Sequence, residues 1–324
     1  MKKAVFAIIG TLVLATTSPS PARAECGEVS ITEMNWASAA IVTAVSKFLM
    51  EQGYGCSVAV VPSSTVPAMT SIAETGEPDI ATEIWTNTTP LYSRLMEQGK
   101  IVTLTDVLSD GGIEGWWIPD YLAEQHPELT EIEGVLANPQ LVDGRFHNCP
   151  DGWSCRVVND SLIQAFDLEQ SQLEVFNHGS GETLATSIAA AYEDQAPWFG
   201  YYWGPTAVLG KYPMTQVSVG PHNAEVHDCN ADPECEEVGK SAYPTSTVGT
   251  VATVDFADRQ PEIAELMSQV SFSNAVMGEI LAWQQDNQAS ADEAAVYFLS
   301  TYPDQWGSWL SDDARQRLSN LLSQ

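Results

Sequence analysis

The chain has very few basic residues for its size. Only 13 of its 324 residues are lysine or arginine, against 43 aspartates and glutamates, so the formal net charge at pH 7 is −30. A charge of this sign and size repels polyanions, and it excludes nucleic acid and anionic lipid as partners. It favours instead a cationic or zwitterionic small ligand.

A long apolar run is also missing after the first 24 residues. No later stretch reaches about 18 uninterrupted apolar residues, the length that a membrane-spanning helix needs. The apolar run after Lys2 and Lys3 is too short to span a bilayer, and it leads to Ala22–Ala24, an A-x-A sequence of the type that signal peptidase cleaves. We therefore predict that residues 1–24 are a signal peptide cleaved before Glu25 and that the mature chain is exported to a bacterial periplasm.

Histidine is scarce, and no nucleophile has a recognisable base beside it. The serine of HGSGET lacks the G-x-S-x-G context of a nucleophile elbow, and we interpret it as a turn residue and N-cap of the next helix. We therefore expect that the protein is not an enzyme. A secreted hydrolase and a purely structural exported protein are the alternatives. The histidines, which fall into no catalytic spacing, are His126, His147, His178, His222 and His227.

All six cysteines lie beyond residue 24, and an even number in an exported chain favours disulfides. Two pairs are separated by only six positions. We predict the bridges Cys149–Cys155 and Cys229–Cys235, which leaves Cys26–Cys56, although spacing alone allows other connectivities. The alternative is a set of unrelated free thiols.

Strand-like and helix-like segments alternate along the first third of the chain. EVSITEMNW, CSVAVVP and PDIATEIW have the character of strands and are each followed by a helical period, which predicts a parallel sheet. A crossing at 110–118 leads to a second set of such units, and STVGTVATVD predicts a strand that returns to the first set. The prediction is an α/β protein of two lobes, with residues 25–115 in lobe 1, 116–245 in lobe 2 and 246–324 again in lobe 1.

Four of the ten tryptophans stand where a ligand would bind. Trp36, Trp85 and Trp203 each end a predicted strand, and Trp153 lies in the CPDGWSC loop. Because ligands bind beyond the carboxyl ends of strands in open α/β sheets, we expect these rings to converge on one cleft. Aromatic faces suit a methylated ammonium, whose charge is spread over apolar methyls and is easily desolvated. The alternative for each ring is core packing, which we expect for Trp198, Trp283, Trp306 and Trp309.

The order of several motifs resembles a known family. IWTNTTPLY, GWWIPDYLAEQHPEL, CPDGWSC, HGSGETLATSIAAAYE and GYYWGPTAVL follow one another as in the glycine betaine/choline-type substrate-binding proteins of ABC transporters. Within that family the chain is similar to the trimethylamine N-oxide-binding members. The resemblance implies a type II periplasmic binding protein fold with the ligand cleft between two lobes. It also implies a receptor, which we expect to be a monomer, that delivers a methylated amine to a permease in the inner membrane.

The resemblance also implies which residues form the site. The aromatic cage of the family corresponds to Trp85, Trp153 and Trp203, with Trp36 as a fourth wall. The loop disulfide of the family corresponds to Cys149–Cys155, which would hold Trp153 rigid at the cleft edge and so reduce the ordering entropy lost on binding.

Betaine receptors of this kind hold the ligand carboxylate with loop amides and a histidine just after the ring that corresponds to Trp85. The amides of Ser154 and Cys155 are available here, but WTNTTPLY contains no such histidine, which weakens a carboxylate clamp. Glu83, which is expected to share a strand face with Trp85, and Glu114 are the acidic candidates. An ionised carboxylate would accept from the choline hydroxyl, whereas a protonated one would donate to an N-oxide oxygen. We rank trimethylamine N-oxide first, then choline or glycine betaine; a solvated or helix-capping role is the alternative for each acid.

Two further tryptophans, Trp116 and Trp117, flank the predicted crossing between the lobes. We expect one of them to line the cleft and the other to pack beneath it. Trp116, two residues after Glu114, is the cleft candidate.

A second site is predicted in DCNADPECEE, where a Cys229–Cys235 bridge would close a loop. Oxygen-bearing side chains alternate there in the spacing that opens a calcium loop, although the glycine and distal glutamate of an EF-hand are missing. The alternative is a solvated acidic turn, and zinc with His222 and His227 is disfavoured because no thiolate is free. The predicted calcium ligands are Asp228, Asn230, Asp232 and Glu234.

Overall fold

The computed structural model of the protein describes residues 26–322, so the predicted signal peptide and its cleavage site lie outside the described residues. Nine strands lie within this range. They are β1 (Gly27–Met34), β2 (Cys56–Ser63), β3 (Ile80–Trp85), β4 (Ile101–Pro119), β5 (Arg145–Asn148), β6 (Glu174–Asn177), β7 (Gly200–Gly204), β8 (Met214–Gln216) and β9 (Ser246–Thr253).

The long strand β4 links two groups of strands. The order is β2-β1-β3-β9-β4-β7-β5-β6, with β8 also paired to β4. In lobe 1, which holds β1, β2, β3, β9 and the first part of β4, β1 pairs in parallel with β2 and β3, and β9 is antiparallel to β3 and β4. In lobe 2, which holds the rest of β4 and β5 to β8, β5 is parallel to β6 and β7, and β4 is antiparallel to β7 and β8.

Helices cover the faces of both groups of strands, and none of those within residues 26–322 combines the length and apolar character that crossing a bilayer requires. A π-helical turn covers Leu49–Tyr54, and 3₁₀ turns cover Thr86–Thr88, Pro127–Thr130 and Pro139–Val142. The α-helices are α1 (Ala37–Phe48), α2 (Thr65–Thr75), α3 (Pro90–Glu97), α4 (Asp120–Gln125), α5 (Ile132–Ala137), α6 (Ser154–Ala165), α7 (Gly181–Asp194), α8 (Ala207–Lys211), α9 (Ala224–Ala231), α10 (Val254–Arg259), α11 (Pro261–Gln269), α12 (Asn274–Asn287), α13 (Ala291–Thr301), α14 (Pro303–Trp309) and α15 (Asp312–Leu322).

Two glycines end the first two helical segments of lobe 1. Gly55 donates its N–H to the carbonyl of Glu51 at 3.0 Å, and Gly76 donates to the carbonyl of Ile72 at 3.0 Å. Both glycines have φ 75°, in the left-handed region that costs glycine the least. These stops return the chain to β2 and β3, so parallel strands of lobe 1 end at one common edge.

The helices near the C-terminus contribute an aromatic cluster to the core of lobe 1. The ring of Trp309, 8% exposed, lies 5.4 Å from Phe272 and 5.6 Å from Phe298. Trp306 is buried and donates its indole N–H to the carbonyl of Leu299 at 2.8 Å. The core packing predicted for these two tryptophans is confirmed.

The other two tryptophans predicted to pack in the core behave differently from each other. Trp198 is 1% exposed and donates to the Ser187 hydroxyl at 2.9 Å, which confirms its place under the sheet of lobe 2. Trp283 is only half-buried and stacks on Tyr297 with a centroid distance of 4.5 Å, so it covers the surface of the core and does not lie within it.

Disulfides join all six cysteines. The bridges are Cys26–Cys56, Cys149–Cys155 and Cys229–Cys235, the same pairs that the spacing predicts. The first one ties the start of β1 to the start of β2, where Gly27 and Cys56 are in register.

Truncation of Trp309 should destabilise the fold. We expect Trp309→Ala to lower the free energy of unfolding by roughly 3 kcal/mol or more, because it removes a large buried ring and leaves a cavity. Trp283→Ala, which removes a half-buried ring, should cost clearly less. Urea unfolding followed by circular dichroism measures both; equal losses in the two variants would contradict the assignment of Trp309 to the core.

Candidate functional site

A small cavity lies where the two lobes meet, close to the carboxyl ends of β1, β3 and β7. Its volume is about 20 Å³, comparable to the space that a single water occupies. The walls have closed on one another, so a ligand of several heavy atoms enters only when the lobes or the rings part. The residues that line the cavity are Trp36, Thr65, Trp85, Glu114, Trp153, Ser154, Cys155, Tyr201 and Trp203.

The structure brings together the four tryptophans that the sequence places at strand ends and on the cysteine loop. Trp85 is the last residue of β3, and Trp203 is the penultimate residue of β7. Trp36 and Trp153 are the N-cap residues of α1 and α6. All four side chains are only 5–6% exposed, so a charge held between them would be largely removed from water.

The rings stand at steep angles to one another. The centroids of Trp36 and Trp153 are 5.0 Å apart with an interplanar angle of 65°, and those of Trp153 and Trp203 are 4.9 Å apart at 82°. Tyr201 stacks on Trp203 at 6.4 Å and 19°. Such an arrangement can present several negatively polarised ring faces to one point, the geometry in which desolvated cation–π contacts are strongest.

Trp153 belongs to lobe 2 but is anchored to lobe 1. Its indole Nε1 donates to Oδ1 of Asn35 at 2.6 Å, just beyond the end of β1. The preceding residue, Gly152, accepts a hydrogen bond from the backbone N–H of Val66 at 3.1 Å. The Cys149–Cys155 bridge closes the loop that carries the ring. The cysteine loop therefore docks on lobe 1 through both its backbone and its tryptophan.

The N-terminus of α6 supplies polar groups to the same cavity. Ser154 and Cys155 are its first two residues, and no side chain within the described range caps this helix. The first-turn amides of an uncapped helix can donate to an oxygen of a ligand. The hydroxyl of Ser154 lies 2.8 Å from the hydroxyl of Thr88, which adds a contact between the lobes.

Glu114 provides the acidic group of the cavity. Its Oε1 accepts from the Tyr201 hydroxyl at 2.7 Å, and its Oε2 accepts from the Ser246 hydroxyl at 3.0 Å. Burial raises the pKa of Glu114 to about 7, and the two hydrogen bonds oppose the shift in part. Near neutral pH the group is therefore present in both protonation states.

Glu83 does not lie beside Trp85 as strand alternation predicts, and it does not line the cavity. A β-bulge between Ala81 and Ile84 breaks the alternation, and Glu83 has φ 52°, in the left-handed region. Its Oε2 accepts from Nε1 of Trp36 at 2.5 Å. Glu83 therefore lies outside the cavity wall, where it holds the indole of Trp36, and a direct ligand contact from Glu83 stays a prediction.

The carboxyl of Glu83 is otherwise poorly satisfied. Oε2 also accepts from the Ser38 hydroxyl at 2.9 Å, whereas Oε1 is buried with no hydrogen-bond partner in the part of the chain that the structure describes. Burial raises the pKa of Glu83 to about 7, and the hydrogen bonds from Trp36 and Ser38 oppose that shift in part.

Trp116 is not a wall of the cavity, which corrects the prediction from its position near the crossing. It is 1% exposed and packs at centroid distances of 4.7 Å from Phe146, 5.8 Å from Phe166 and 5.8 Å from Phe199. Two residues of strand advance about 7 Å, which carries Trp116 from the level of Glu114 into the core of lobe 2. Trp117 does not line the cavity either.

The predicted calcium loop is not formed as the spacing suggests. Asp228 and Asn230 belong to α9, where residues two apart point in different directions. Asn230 exchanges two hydrogen bonds with the backbone of Gly239, at 2.8 and 3.0 Å, and Asp232 accepts from the N–H of Glu234 at 2.9 Å. No group of three or more His, Cys, Asp or Glu within residues 26–322 could hold a metal ion. The residues present do not fit calcium, because their oxygens do not converge.

Two of the histidines form a buried hydrogen-bonded pair that the sequence does not indicate. Nδ1 of His147 lies 2.9 Å from Nε2 of His178, and burial lowers the pKa values of these residues to about 3 and about 4. Neither ring lines the cavity. The serine of HGSGET, Ser180, accepts from the N–H of Thr183 at 3.3 Å, which confirms it as the N-cap of α7.

Sequence reasoning missed three contributors to this site. Tyr201 lies two residues before Trp203 on β7, so strand alternation could have found it. Asn35 is adjacent to Trp36 and carries no signal of its own. Thr65 opens α2, and only the approach of the cysteine loop to this helix places it in the cavity wall.

A family model and a curated relative both relate this chain to binding proteins for glycine betaine. Residues 27–301 match the family model described as the substrate binding domain of the ABC-type glycine betaine transport system, OpuAC. The glycine betaine/proline betaine-binding periplasmic protein of Escherichia coli strain K12 is 24% identical over 248 residues, which cover 70% of this chain and 73% of that protein.

Solved structures share the fold. A choline-binding protein of an ABC transporter, determined in complex with choline, superposes with a TM-score of 0.73 at 20% identity, covering 92% of this chain and 98% of that one. The glycine betaine/L-proline-binding protein ProX of Borrelia burgdorferi gives a TM-score of 0.73 at 15% identity, with 90% and 99% covered. The architecture is thus the two-lobed, type II periplasmic binding protein fold, with its cleft between the lobes.

The two buried carboxyls should make the stability of the ligand-free protein fall as the pH rises. Between the ordinary value of 4.5 and the folded pKa of about 7, the folded protein keeps the protons of Glu83 and Glu114 while the unfolded chain releases them. Each carboxyl should therefore contribute a loss of roughly 3 kcal/mol between about pH 4.5 and pH 7.

Urea unfolding across this pH range isolates each carboxyl as the difference between the wild type and Glu114→Gln or Glu83→Gln. The difference is needed because His147 and His178 titrate in the opposite sense. Because the folded protein lowers the pKa values of these two histidines, only the unfolded chain takes up protons there as the pH falls below their ordinary value of 6.5, and the folded state loses stability. Glu193→Gln, at an exposed position, is the control for the loss of a carboxyl from the surface. Identical slopes in the wild type and Glu114→Gln would rule out a raised pKa for Glu114.

Proposed function

Because the chain belongs to the family of substrate-binding domains of ABC-type glycine betaine transport systems, we propose that it captures trimethylamine N-oxide in its tryptophan cage. It is a substrate-binding protein of an ABC transporter of the glycine betaine/choline type. On this proposal it works in the periplasm as a monomer, delivers the methylated amine to a membrane permease and carries out no chemical step. The observation that carries the proposal is the convergence of four indoles and one carboxyl on a single cavity.

The cage suits a trimethylated nitrogen. Each desolvated ring face contributes on the order of 1–2 kcal/mol to holding a diffuse cation. A metal ion or a primary ammonium would lose more hydration on entry than rings can replace. The residues that line the cavity, all within the described part of the chain, include no lysine, arginine or histidine to compete for the ring faces.

The polar groups favour an N-oxide over a carboxylate. No cation lines the cavity to pair with the carboxylate of glycine betaine, and an ionised Glu114 would repel it. With a pKa of about 7, Glu114 can instead hold a proton and donate it in a hydrogen bond to the N-oxide oxygen. The amides of Ser154 and Cys155 are the further donors for this oxygen.

Choline is the second candidate, and Glu114 supports it too. An ionised Glu114 would accept from the hydroxyl of choline and neutralise its charge. The two ligands therefore require opposite protonation states of one group, which makes pH the variable that separates them.

Removal of one cage wall should weaken binding. We expect Trp153→Ala and Trp203→Ala each to raise the dissociation constant for trimethylamine N-oxide by about tenfold or more, because one cation–π wall is lost. Trp309→Ala, in the core of lobe 1, should leave the affinity unchanged at a temperature where it is folded. Titration calorimetry and quenching of tryptophan fluorescence measure the constants. If the cage variants bind as tightly as the wild type, the cage assignment is incorrect.

The pH dependence of binding should identify the ligand. If protonated Glu114 donates to the ligand, the affinity for trimethylamine N-oxide falls by about tenfold between pH 6 and pH 8, since the competent fraction falls by that factor around a pKa near 7. Choline affinity should rise over the same range. Glu114→Gln should remove both dependences and weaken choline more than trimethylamine N-oxide. Saturable binding of choline alone would reverse our ranking, and silence of all three ligands would reject the receptor proposal.

A further inference from the structure

Two glycines lie against the outer faces of the cage. Gly181, the first residue of α7, would place a Cβ 2.9 Å from Cη2 of Trp153 and 3.3 Å from Cη2 of Trp203. Gly112, in β4, would place a Cβ that overlaps Cη2 and Cζ3 of Trp85. Three of the four indoles therefore rest on backbone that carries no side chain.

The backbone conformation does not explain these glycines. Neither Gly112 nor Gly181 is among the glycines with positive φ, so a side chain is not excluded by backbone strain. Gly179, two residues before Gly181, has nothing within 4 Å of its Cβ position. The close approach of the rings is what leaves no room at Gly112 and Gly181.

The position of Gly181 shows which way an added methyl would push. Gly181 lines a groove of about 590 Å³ outside the cage, together with Trp36 and Trp203, and it does not line the inner cavity. Trp203 lines both the groove and the inner cavity, and Trp153, which the Cβ at position 181 would contact, lines the inner cavity. A methyl group at position 181 would therefore displace the indole ends toward the ligand.

From these contacts we infer that Gly112 and Gly181 are specificity-determining residues that set the size of the head group the cage accepts. They act through the tryptophans, as positioning residues, because the missing side chains let the indole rings pack directly against the backbone and so widen the cage. The absence of both side chains fixes the upper size limit for a methylated ammonium. This inference rests on the proposed function.

The test compares two probes that differ by one methyl group, tetramethylammonium and trimethylammonium. Neither carries an oxygen that the loop amides or a protonated Glu114 could donate to. Trimethylammonium keeps one N–H that can donate to Glu114, and this contact is common to the wild type and Gly181→Ala, so it cancels from the change in the ratio between the two probes. We expect Gly181→Ala to raise the dissociation constant of tetramethylammonium by about tenfold, the lower end of the range that one methyl group commands in an apolar pocket. The dissociation constant of trimethylammonium should rise by about threefold or less. Gly179→Ala, the matched control, should leave both dissociation constants unchanged. Calorimetry at fixed pH and salt measures them.

A second variant protects the test against misfolding. The double variant Gly181→Ala/Trp153→Phe lacks the ring atoms that the new methyl would meet. The ratio of the two dissociation constants should therefore return much of the way from its value in Gly181→Ala toward the wild-type value. Trp153→Phe alone is its reference, because this change also removes the hydrogen bond to Asn35. Gly112→Ala should shift the ratio in the same direction as Gly181→Ala.

The outcomes separate this inference from the proposed function. If the wild-type protein binds neither probe, the cage itself is rejected and the inference falls with it. If the wild type binds both probes and Gly181→Ala keeps the wild-type ratio, the inference alone is overturned, whether both affinities are unchanged or both fall equally. A changed ratio in Gly179→Ala would also count against it, because that position touches no ring.

Discussion

One indole takes part both in the contact between the two lobes and in the walls of the cavity. Trp153 comes from lobe 2, hydrogen-bonds Asn35 of lobe 1, and lies between Trp36 of lobe 1 and Trp203 of lobe 2. The same ring therefore joins the lobes and forms a wall of the cavity. Any ligand that holds Trp153 against Trp36 also holds the lobes together. Such a ligand stabilises the closed form by as much free energy as it gains from binding that form more tightly than the open one. This coupling suits a receptor whose closed form reports that it is loaded.

The two buried carboxyls have different tasks in this arrangement. Glu83 accepts from the indole of Trp36, which is one wall of the cavity, whereas Glu114 itself lines the cavity. Burial raises the pKa of each to about 7. The site therefore holds protons that a solvated carboxyl would release.

The sequence predicts the ring positions because strand ends meet at one edge of a sheet. Trp36 and Trp85 follow or end parallel strands of lobe 1, and Trp203 stands near the end of a strand in lobe 2, so the rule that ligands bind at carboxyl ends places all three. The position of Tyr201 could have been predicted in the same way, because it lies two residues before Trp203 on the same strand. The distance of Trp116 from the cleft could not be predicted, because period-two alternation gives the face of a strand on which a side chain lies but not how far along the strand the cleft is.

Other features could not be predicted from local patterns. No glycine or proline marks the bulge that turns Glu83 toward Trp36, and it depends on pairing with β9, which is distant in sequence. The alternating oxygens near Cys229 suggested an extended loop, but Asn223 caps a helix there by accepting from the N–H of Val226. Asparagine ahead of a helix-compatible segment was the competing signal, and in the structure it prevails.

Strand β4 has a consequence for how the molecule can be divided. It supplies an edge to the strands of lobe 1 through β9 and then pairs with β7 and β8 in lobe 2, without a break in the chain. The two parts of the strand form separate ladders, because residues 101–112 pair with β9 whereas residues 113–119 pair with β7 and β8. A change of backbone direction near residue 112 would therefore move one ladder relative to the other while the strand pairs of both are kept.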